Sequence, residues 1–468
     1  MIKTRLKLQD KRSKMVGSKL TEEIMQLPID FINRMKIKLG EEYEAFLRSY
    51  EEERAYGLRY NPLKISRENF EKVVPAITDK VKWAKEGYYY NPTMQPGKEP
   101  LHEAGAYYIQ EPSAMSAAEL LEVVPGEVVC DLCAAPGGKS TQIAGKLMNK
   151  GMLVSNEFYS SRAKILSQNI ERMGVRNAIV LNESTDSIAD AFPEFFDKVM
   201  VDAPCSGEGM FRKDDVAIEE WSLSNVEMCA ARQAEILDNA AKILKPGGAM
   251  VYSTCTFSME ENEDTVAAFL ERNKDFEIEK PSMHEEIIES GFAESGGMYR
   301  LWPHKLKGEG HFAVRFKKKP SMEEKTYKRK PMENLAKKQD LKYYEEFVAK
   351  TLNVKFEGNF VMFGDSIYLV PEEMISLKGL KVERAGLKLG MNKKNRFEPD
   401  HALALALNPA EVKQVVEATE IHKYLKGDVI DCDYDNGWTL VATDNVSIGW
   451  GKATNGVLKN HYPKGLRR

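Results

Sequence analysis

The chain has 468 residues, of which 43% are hydrophobic and 29% charged, with a formal net charge of −4. That length predicts roughly three domains, each with its own core, and the composition is that of a soluble globular protein rather than a disordered one. No apolar run approaches the roughly 20 residues that span a bilayer, and the basic start MIKTRLKLQDKRSK lacks the apolar stretch of a secretory signal, so no membrane partner and a cytoplasmic location are expected.

Residues 1–24 lack periodicity and read as a flexible extension. From Leu27 to Tyr50, Phe31, Ile32, Met35, Ile37, Leu39, Tyr43, Phe46 and Leu47 recur at helical spacing with a break at Gly40, which predicts two short helices. GLRYNPLKIS follows as a strand and turn, and residues 25–100 form a small N-terminal α+β unit, read as RNA-binding. Over 101–318, strands alternate with helices, predicting an α/β, doubly wound, mostly parallel Rossmann-like sheet covered on both faces. Its strands are expected at 128–132, 152–156, 178–181, 198–201, 249–252, 276–279 and 312–316, with helices at 113–121, 139–147, 162–173 and 226–244. A basic linker spans 319–339, where Lys317 to Lys319 and Lys325 to Lys338 are phosphate-tracking candidates. A small α+β unit over 340–395 carries a helix near 341–352 and the hairpin signal FEGNFVMFGDSIYLVP. The last unit, 396–468, is expected to hold a helix near Pro409–Glu417 and short strands as in a small β-barrel.

Six cysteines (130, 133, 205, 229, 255 and 432) without regular spacing do not make a disulfide framework. Cys130 and Cys133 form a C-x-x-C inside a strand and its turn with no second pair at zinc spacing, so packing is expected there and no metal. Cys229 and Cys432 read as small buried hydrophobes. Cys205 in DAPCSG and Cys255 in STCT differ. Each stands just beyond an apolar strand, and on adjacent parallel strands both would face one crevice.

CDLCAAPGGKS follows a strand and opens a helix. Pro136, Gly137 and Gly138 make a tight turn, but Cys133 stands where a P-loop needs glycine, and G-x-G-x-x-G is absent, so neither a nucleoside triphosphate nor a nicotinamide dinucleotide is favoured. Glu157, about 20 residues on at the end of the next strand, can accept both ribose hydroxyls of an adenosine. Together with Asp202 it suits the sulfonium of S-adenosylmethionine, and Lys139 is expected to face the ligand. Cytosine C5 needs activation before it accepts a methyl group. A thiolate adding at C6 provides it, a base must then remove the C5 proton, and a carboxylate, Asp202, can hydrogen-bond N3 or the exocyclic amine.

CAAPGGK at 133–139, Glu157, DAPCSGEGMFRK at 202–213, STCT at 253–256 and LKPGGAMVYSTCTFSMEENE carry a resemblance to the NOL/NOP/Sun family of RNA cytosine-5 methyltransferases. Within that family the chain is most similar to the bacterial enzymes of small-subunit (16S) ribosomal RNA. The resemblance implies that Cys255 is the nucleophile and that Cys205 assists breakdown of the adduct. It also implies that Cys133, Ala134, Ala135, Pro136, Gly137, Gly138, Lys139, Glu157 and Asp202 bind S-adenosylmethionine. Beyond residue 330 it implies a linking domain and a PUA-like RNA-binding barrel. The acidic residue that such proteins carry near the adenine is unassigned among Glu183, Ser184 and Asp186. Arg59, Tyr60, Arg212, Lys213 and the basic tail are candidate RNA anchors, with small-subunit RNA or the assembled subunit as the expected partner. Transfer RNA or 23S RNA as substrate remains open, as does a non-catalytic ribosome-assembly factor. A DNA cytosine enzyme would use Cys205 and leave Cys255 without a task.

Overall fold

The computed structural model describes residues 27–322, 325–434 and 436–467; the extension expected over 1–24 lies outside the described residues. A four-stranded antiparallel sheet comes first, built from β1 (Gly57–Tyr60), β2 (Ile77–Lys80), β3 (Gly87–Tyr90) and β4 (Tyr107–Ile109) in the order β2-β3-β1-β4. Its fourth strand lies past the expected boundary at 100, because Leu58 to Tyr60 pair with Ile109 to Tyr107 and draw that segment away from the catalytic sheet.

The large sheet contains β5 (Val128–Asp131), β6 (Met152–Asn156), β7 (Ala178–Leu181), β8 (Phe196–Asp202) and β9 (Leu244–Thr254). Next come β10 (Phe276–Ile278), β11 (Ala293–Ser295), β12 (Met298–Leu301) and β13 (His311–Lys318). The central strands run parallel in the order β9-β8-β5-β6-β7, with β13 antiparallel beyond β9. Strand order reverses at β5, which pairs with both β6 and β8, so the ligand crevice of such a sheet falls at its carboxyl end.

Alternate residues sort to opposite faces, as the pleat requires. Cys130, Val154, Val199, Val201, Met250 and Tyr252 join one core with Ile236, Leu237 and Phe269 from the helices Leu223–Ile243 and Glu263–Arg272. Val129, Leu153, Val180, Met200 and Val251 join the other core, under the helices Gly138–Leu147 and Ser160–Arg172. Each fully buried side chain of this size is worth about 1.5–3 kcal/mol, so the two faces together fix the register.

The C-terminal half departs from the expected division. β14 (Asn359–Phe363) and β15 (Ser366–Val370) form the expected hairpin, but β16 (Val382–Ala385) leaves that unit and pairs antiparallel with β7 as an edge strand of the catalytic sheet. β17 (Leu387–Lys393) and β18 (Arg396–Pro399) complete the sheet β14-β15-β17-β18, carrying it past residue 395. The helix expected near Pro409–Glu417 is a single 3-10 turn, Pro409–Glu411, followed by β19 (Val415–Glu417). Two adjacent β-branched valines favour the strand, and β19 pairs parallel with β21 (Asn436–Thr443). With β20 (Ile430–Asp431), β22 (Val446–Thr454) and β23 (Val457–Asn460) they form the last sheet, ordered β19-β21-β22-β23-β20.

The basic linker is held against the catalytic unit: Arg329 donates to the Glu194 carbonyl at 3.0 Å and lies over the Phe195 ring, and Met332 is buried. Lys318 is buried too, donating to the carbonyls of Ala241 and Leu244 at 3.0 and 2.9 Å, which removes it from the phosphate-tracking candidates. Among the described residues no helix is long and apolar enough to cross a membrane.

Candidate active site

The parallel register of β8 and β9 sets Asp202 beside Ser253, so the loops that follow leave the sheet side by side. Their cysteines meet: Cys205 Sγ and Cys255 Sγ are 3.2 Å apart. Contact with Cys255, and then burial, push the Cys205 thiol well up, and across the contact either sulfur can be the donor. Several bonds hold the loops in place. Gly209 N–H donates to the Cys255 carbonyl at 2.9 Å, and a Cβ on Gly209 would fall 2.5 Å from the Gly310 carbonyl and 2.9 Å from that of Cys255, which excludes any larger residue. Thr254 Oγ1 donates to Asn262 at 2.7 Å, and Asn262 donates back to the Thr256 carbonyl at 3.0 Å.

Asp202 occupies the end of β8. Its carboxylate accepts from Lys139 Nζ at 2.7 Å and from Ser253 Oγ at 2.7 Å, with His311 Nε2 of β13 at 4.0 Å. Burial works to raise its pKa, but the Lys139 charge and the hydrogen bonds from Lys139 and Ser253 outweigh burial and hold the carboxyl below its ordinary range. Lys139, expected to face a ligand, is therefore committed to Asp202. His311 is pushed down to about 3 by burial first and by Lys139 second, and is neutral at working pH. At the end of β5, burial pushes Asp131 up to about 7, although Ser140 Oγ donates to it at 2.7 Å.

A cavity of about 480 Å3 opens over these strand ends. Cys133 and Ala135 of the β5 loop line it, as do Glu157 after β6, Glu183 and Ser184 after β7, and Asp202, Cys205 and Cys255. Gly137, at φ 116°, turns the chain into the helix Gly138–Leu147; Asn169 donates to the Pro136 carbonyl and Arg162 to that of Ala135, each at 2.9 Å. Glu157 is buried, with one carboxylate oxygen accepting from Tyr159 N–H at 2.9 Å and the other 3.4 Å from Arg162. Of the three candidates after β7, Glu183 and Ser184 reach the cavity. Asp186 turns away to accept from Asn239 at 3.0 Å. Glu183 also accepts from Lys381 N–H at 2.7 Å, so the segment leading into β16 braces the cavity wall. The C-x-x-C divides: Cys130 is wholly buried in the sheet, while Cys133 lines the cavity. Among the described residues no group of three or more His, Cys, Asp and Glu side chains could hold a metal ion.

Two expected RNA anchors are not at the surface. Arg59 is 1% exposed, donating to the Gly138 carbonyl at 3.0 Å and to Thr141 at 2.9 Å, and Tyr60 is buried beside Phe70. Arg212 lies 3.7 Å from Glu309, while Lys213 is exposed. The two short helices expected over Leu27 to Tyr50 are present, but sequence reasoning did not foresee that they pack behind the cysteine loops. In Ile29–Leu39 and Tyr43–Ser49, Phe31 meets Phe211 at 4.9 Å and Phe46 meets Phe257 at 5.4 Å. His311, Glu208 and Glu261 were missed as well. Only the run of polar residues after STCT hinted at Glu261.

The parallel strand order, the glycine turn after β5 and the acidic cavity at the strand ends define a Rossmann-like methyltransferase. A solved methyltransferase homolog protein from Pyrococcus horikoshii is 28% identical, with a TM-score of 0.56 over 64% of this chain and 99% of that one. NSun6 from Pyrococcus horikoshii, solved with SFG, is 23% identical and shares the fold at a TM-score of 0.55, covering 63% of this chain and 99% of that one. The model of 16S rRNA methyltransferase RsmB/F matches residues 118–317 and the N-terminal domain of 16S rRNA methyltransferase RsmF matches 27–112. The RsmF first C-terminal domain matches 346–407 and the methyltransferase RsmF PUA domain matches 415–468. Ribosomal RNA small subunit methyltransferase F of Vibrio vulnificus (strain YJ016) is 32% identical over 465 residues, covering 94% of this chain and 98% of that protein. The Vibrio campbellii protein of the same name is 33% identical, over 91% of this chain and 94% of its own length. The chain belongs to the ribosomal RNA small subunit methyltransferase F family.

Proposed function

We propose that this protein methylates C5 of a cytosine in small-subunit ribosomal RNA, with S-adenosylmethionine as donor and a covalent link from Cys255 to cytosine C6. The observation that carries the reading is the pair of thiols in contact at 3.2 Å on the lip of an acidic cavity. The cavity residues fit that donor: Glu157 is a buried carboxylate placed to accept ribose hydroxyls, and Asp202 supplies negative charge for a cationic centre. From the loop Cys133 to Lys139, Cys133 and Ala135 line the same cavity. When bound, the donor supplies an electrophilic methyl group on a sulfonium.

The chain's own residues do the rest. Cys255, as thiolate, adds to C6 and makes C5 nucleophilic, while Asp202 accepts a hydrogen bond from the exocyclic amine. Cys205 holds its proton while Cys255 carries negative charge. Once Cys255 is tied up as a thioether that charge is gone, and Cys205 can give its proton to water and, as thiolate, take the C5 proton. Loss of that proton reforms the C5–C6 double bond, the C6–S bond breaks, and Cys255 leaves as thiolate. The flanking units at 25–100, 340–395 and 396–468 hold the RNA in this reading.

Labelled methyl from S-adenosylmethionine, followed into small-subunit RNA and then into nucleosides after digestion, tests it. 5-Methylcytidine as the labelled nucleoside is the expected outcome; label in another nucleoside, or only in transfer or large-subunit RNA, would overturn the corresponding part.

A further inference from the structure

The contact between the two thiols depends on two loops that share no backbone ladder beyond Asp202 and Ser253. Past that point, apart from the Gly209 N–H bond to the Cys255 carbonyl, the loops are joined through two wholly buried glutamates, neither of which lines the cavity. Glu261 stands downstream of the Cys255 loop and reaches back to the Cys205 loop. One carboxylate oxygen accepts Ser206 N–H at 2.9 Å and the Gln233 amide at 2.9 Å, and the other accepts the Ser206 hydroxyl. Gln233 also donates to the Pro204 carbonyl at 2.9 Å, so both neighbours of Cys205 are tied to this one side chain. The same hydroxyl is 2.9 Å from Thr256 Oγ1, next to Cys255, and Tyr252 donates to the Glu261 carbonyl at 2.5 Å. Glu208 runs the opposite way. It sits on the Cys205 loop and accepts Phe257 N–H of the Cys255 loop at 3.0 Å and Trp221 Nε1 at 3.1 Å.

Burying a carboxylate is costly unless its lone pairs are filled, and here the donors that fill them come from across the junction of the two cysteine loops. We infer that Glu261, with Glu208 as its counterpart, is a positioning residue that sets the separation of Cys205 and Cys255. A carboxylate suits the task because Ser206 offers two donors and Gln233 a third, more than one amide oxygen accepts well. Glutamine keeps the size and one acceptor, and Ser206 Oγ can turn its proton to Thr256, so Glu261→Gln preserves most of the clamp. Alanine removes it.

The thiol spacing can be read without any catalysis. A diazene oxidant such as diamide takes up the two thiol hydrogens as Cys205 and Cys255 join in a disulfide, and the linked peptides are counted by mass spectrometry. In Glu261→Ala, checked as folded by circular dichroism, linkage is expected to slow about tenfold, with Glu261→Gln within about threefold of wild type. Should Glu261→Ala fail to fold, Gln233→Leu and Ser206→Ala each remove one arm of the clamp and are expected to slow linkage by a smaller factor, about threefold. Unchanged linkage in a folded alanine variant, or in both single-arm variants, would overturn the clamp. The catalytic consequence rests on the methylation reading: turnover should fall in step with linkage while the KM for S-adenosylmethionine stays within about twofold. Slowed linkage with no methylation even by wild type would leave the clamp standing and remove the function proposed above, so the two failures are distinct.

Discussion

Asp202 is where the site's electrostatics converge. Its charge pairs with Lys139, its second oxygen takes Ser253, and neutral His311 completes the surround from β13. The cost of that arrangement is a buried imidazole that refuses its proton. The unfolded chain takes up a proton on His311 near its ordinary value of 6.5, whereas the folded chain does so only near 3, so stability falls as pH drops through that window. At about 1.4 kcal/mol per pKa unit the loss is of order a few kcal/mol. His311→Phe is expected to flatten the acid limb of stability between pH 6 and 4, measured by urea midpoints, and an unaltered limb would count against this account. The sequence carried the signal for Asp202, Cys205 and Cys255, because each follows an apolar strand in a run of small residues. It carried none for His311, whose partner stands more than a hundred positions earlier and is reached only through the antiparallel pairing of β13 with β9.

Elements explain why some expectations held and others did not. The apolar runs at β6 and β7 are buried on both faces, and their bounds were legible to the residue. β11, β12 and β16 are three or four residues long and owe their state to a neighbour, which no local pattern reveals. Val415–Glu417 looked helical for the same reason, since only β21 makes it a strand. Arg59 shows the same principle in a functional residue. A basic side chain beside aromatic residues reads as an RNA anchor, yet β1 delivers it to the first turn of the helix that opens the cavity, where it bonds Gly138, Thr141 and Gln110. Arg59→Ala is expected to lower stability by about 2–4 kcal/mol, from the loss of three buried hydrogen bonds of a charged donor, and to weaken RNA binding no more than the unfolded fraction explains. A stable variant with weakened RNA binding would restore the anchor reading.

Across the whole molecule, the N-terminal and C-terminal units are fastened to each other as well as to the catalytic sheet. Leu58, Tyr60 and Phe70 share one core with Tyr424, Val441 and Ile448, and buried Lys64 donates to the carbonyls of Leu405 and Ser447 and to the Ser447 hydroxyl at 2.5, 3.0 and 2.8 Å. Lys64→Met fills the space but leaves those acceptors bare. Its expected cost is about 2–4 kcal/mol, with protease cutting between the last two units before the catalytic unit opens; a melting temperature equal to wild type would deny the fastening. The pieces thus form one frame around one crevice, and the claim that the crevice does covalent chemistry on RNA is open to direct measurement. Small-subunit RNA with S-adenosylmethionine would be mixed with wild type, Cys255→Ala and Cys205→Ala and run on a denaturing gel. A protein–RNA adduct that persists in Cys205→Ala and is absent from Cys255→Ala is the predicted result. Adduct and methylation surviving in Cys255→Ala, with neither in Cys205→Ala, would reverse the two roles and contradict the mechanism.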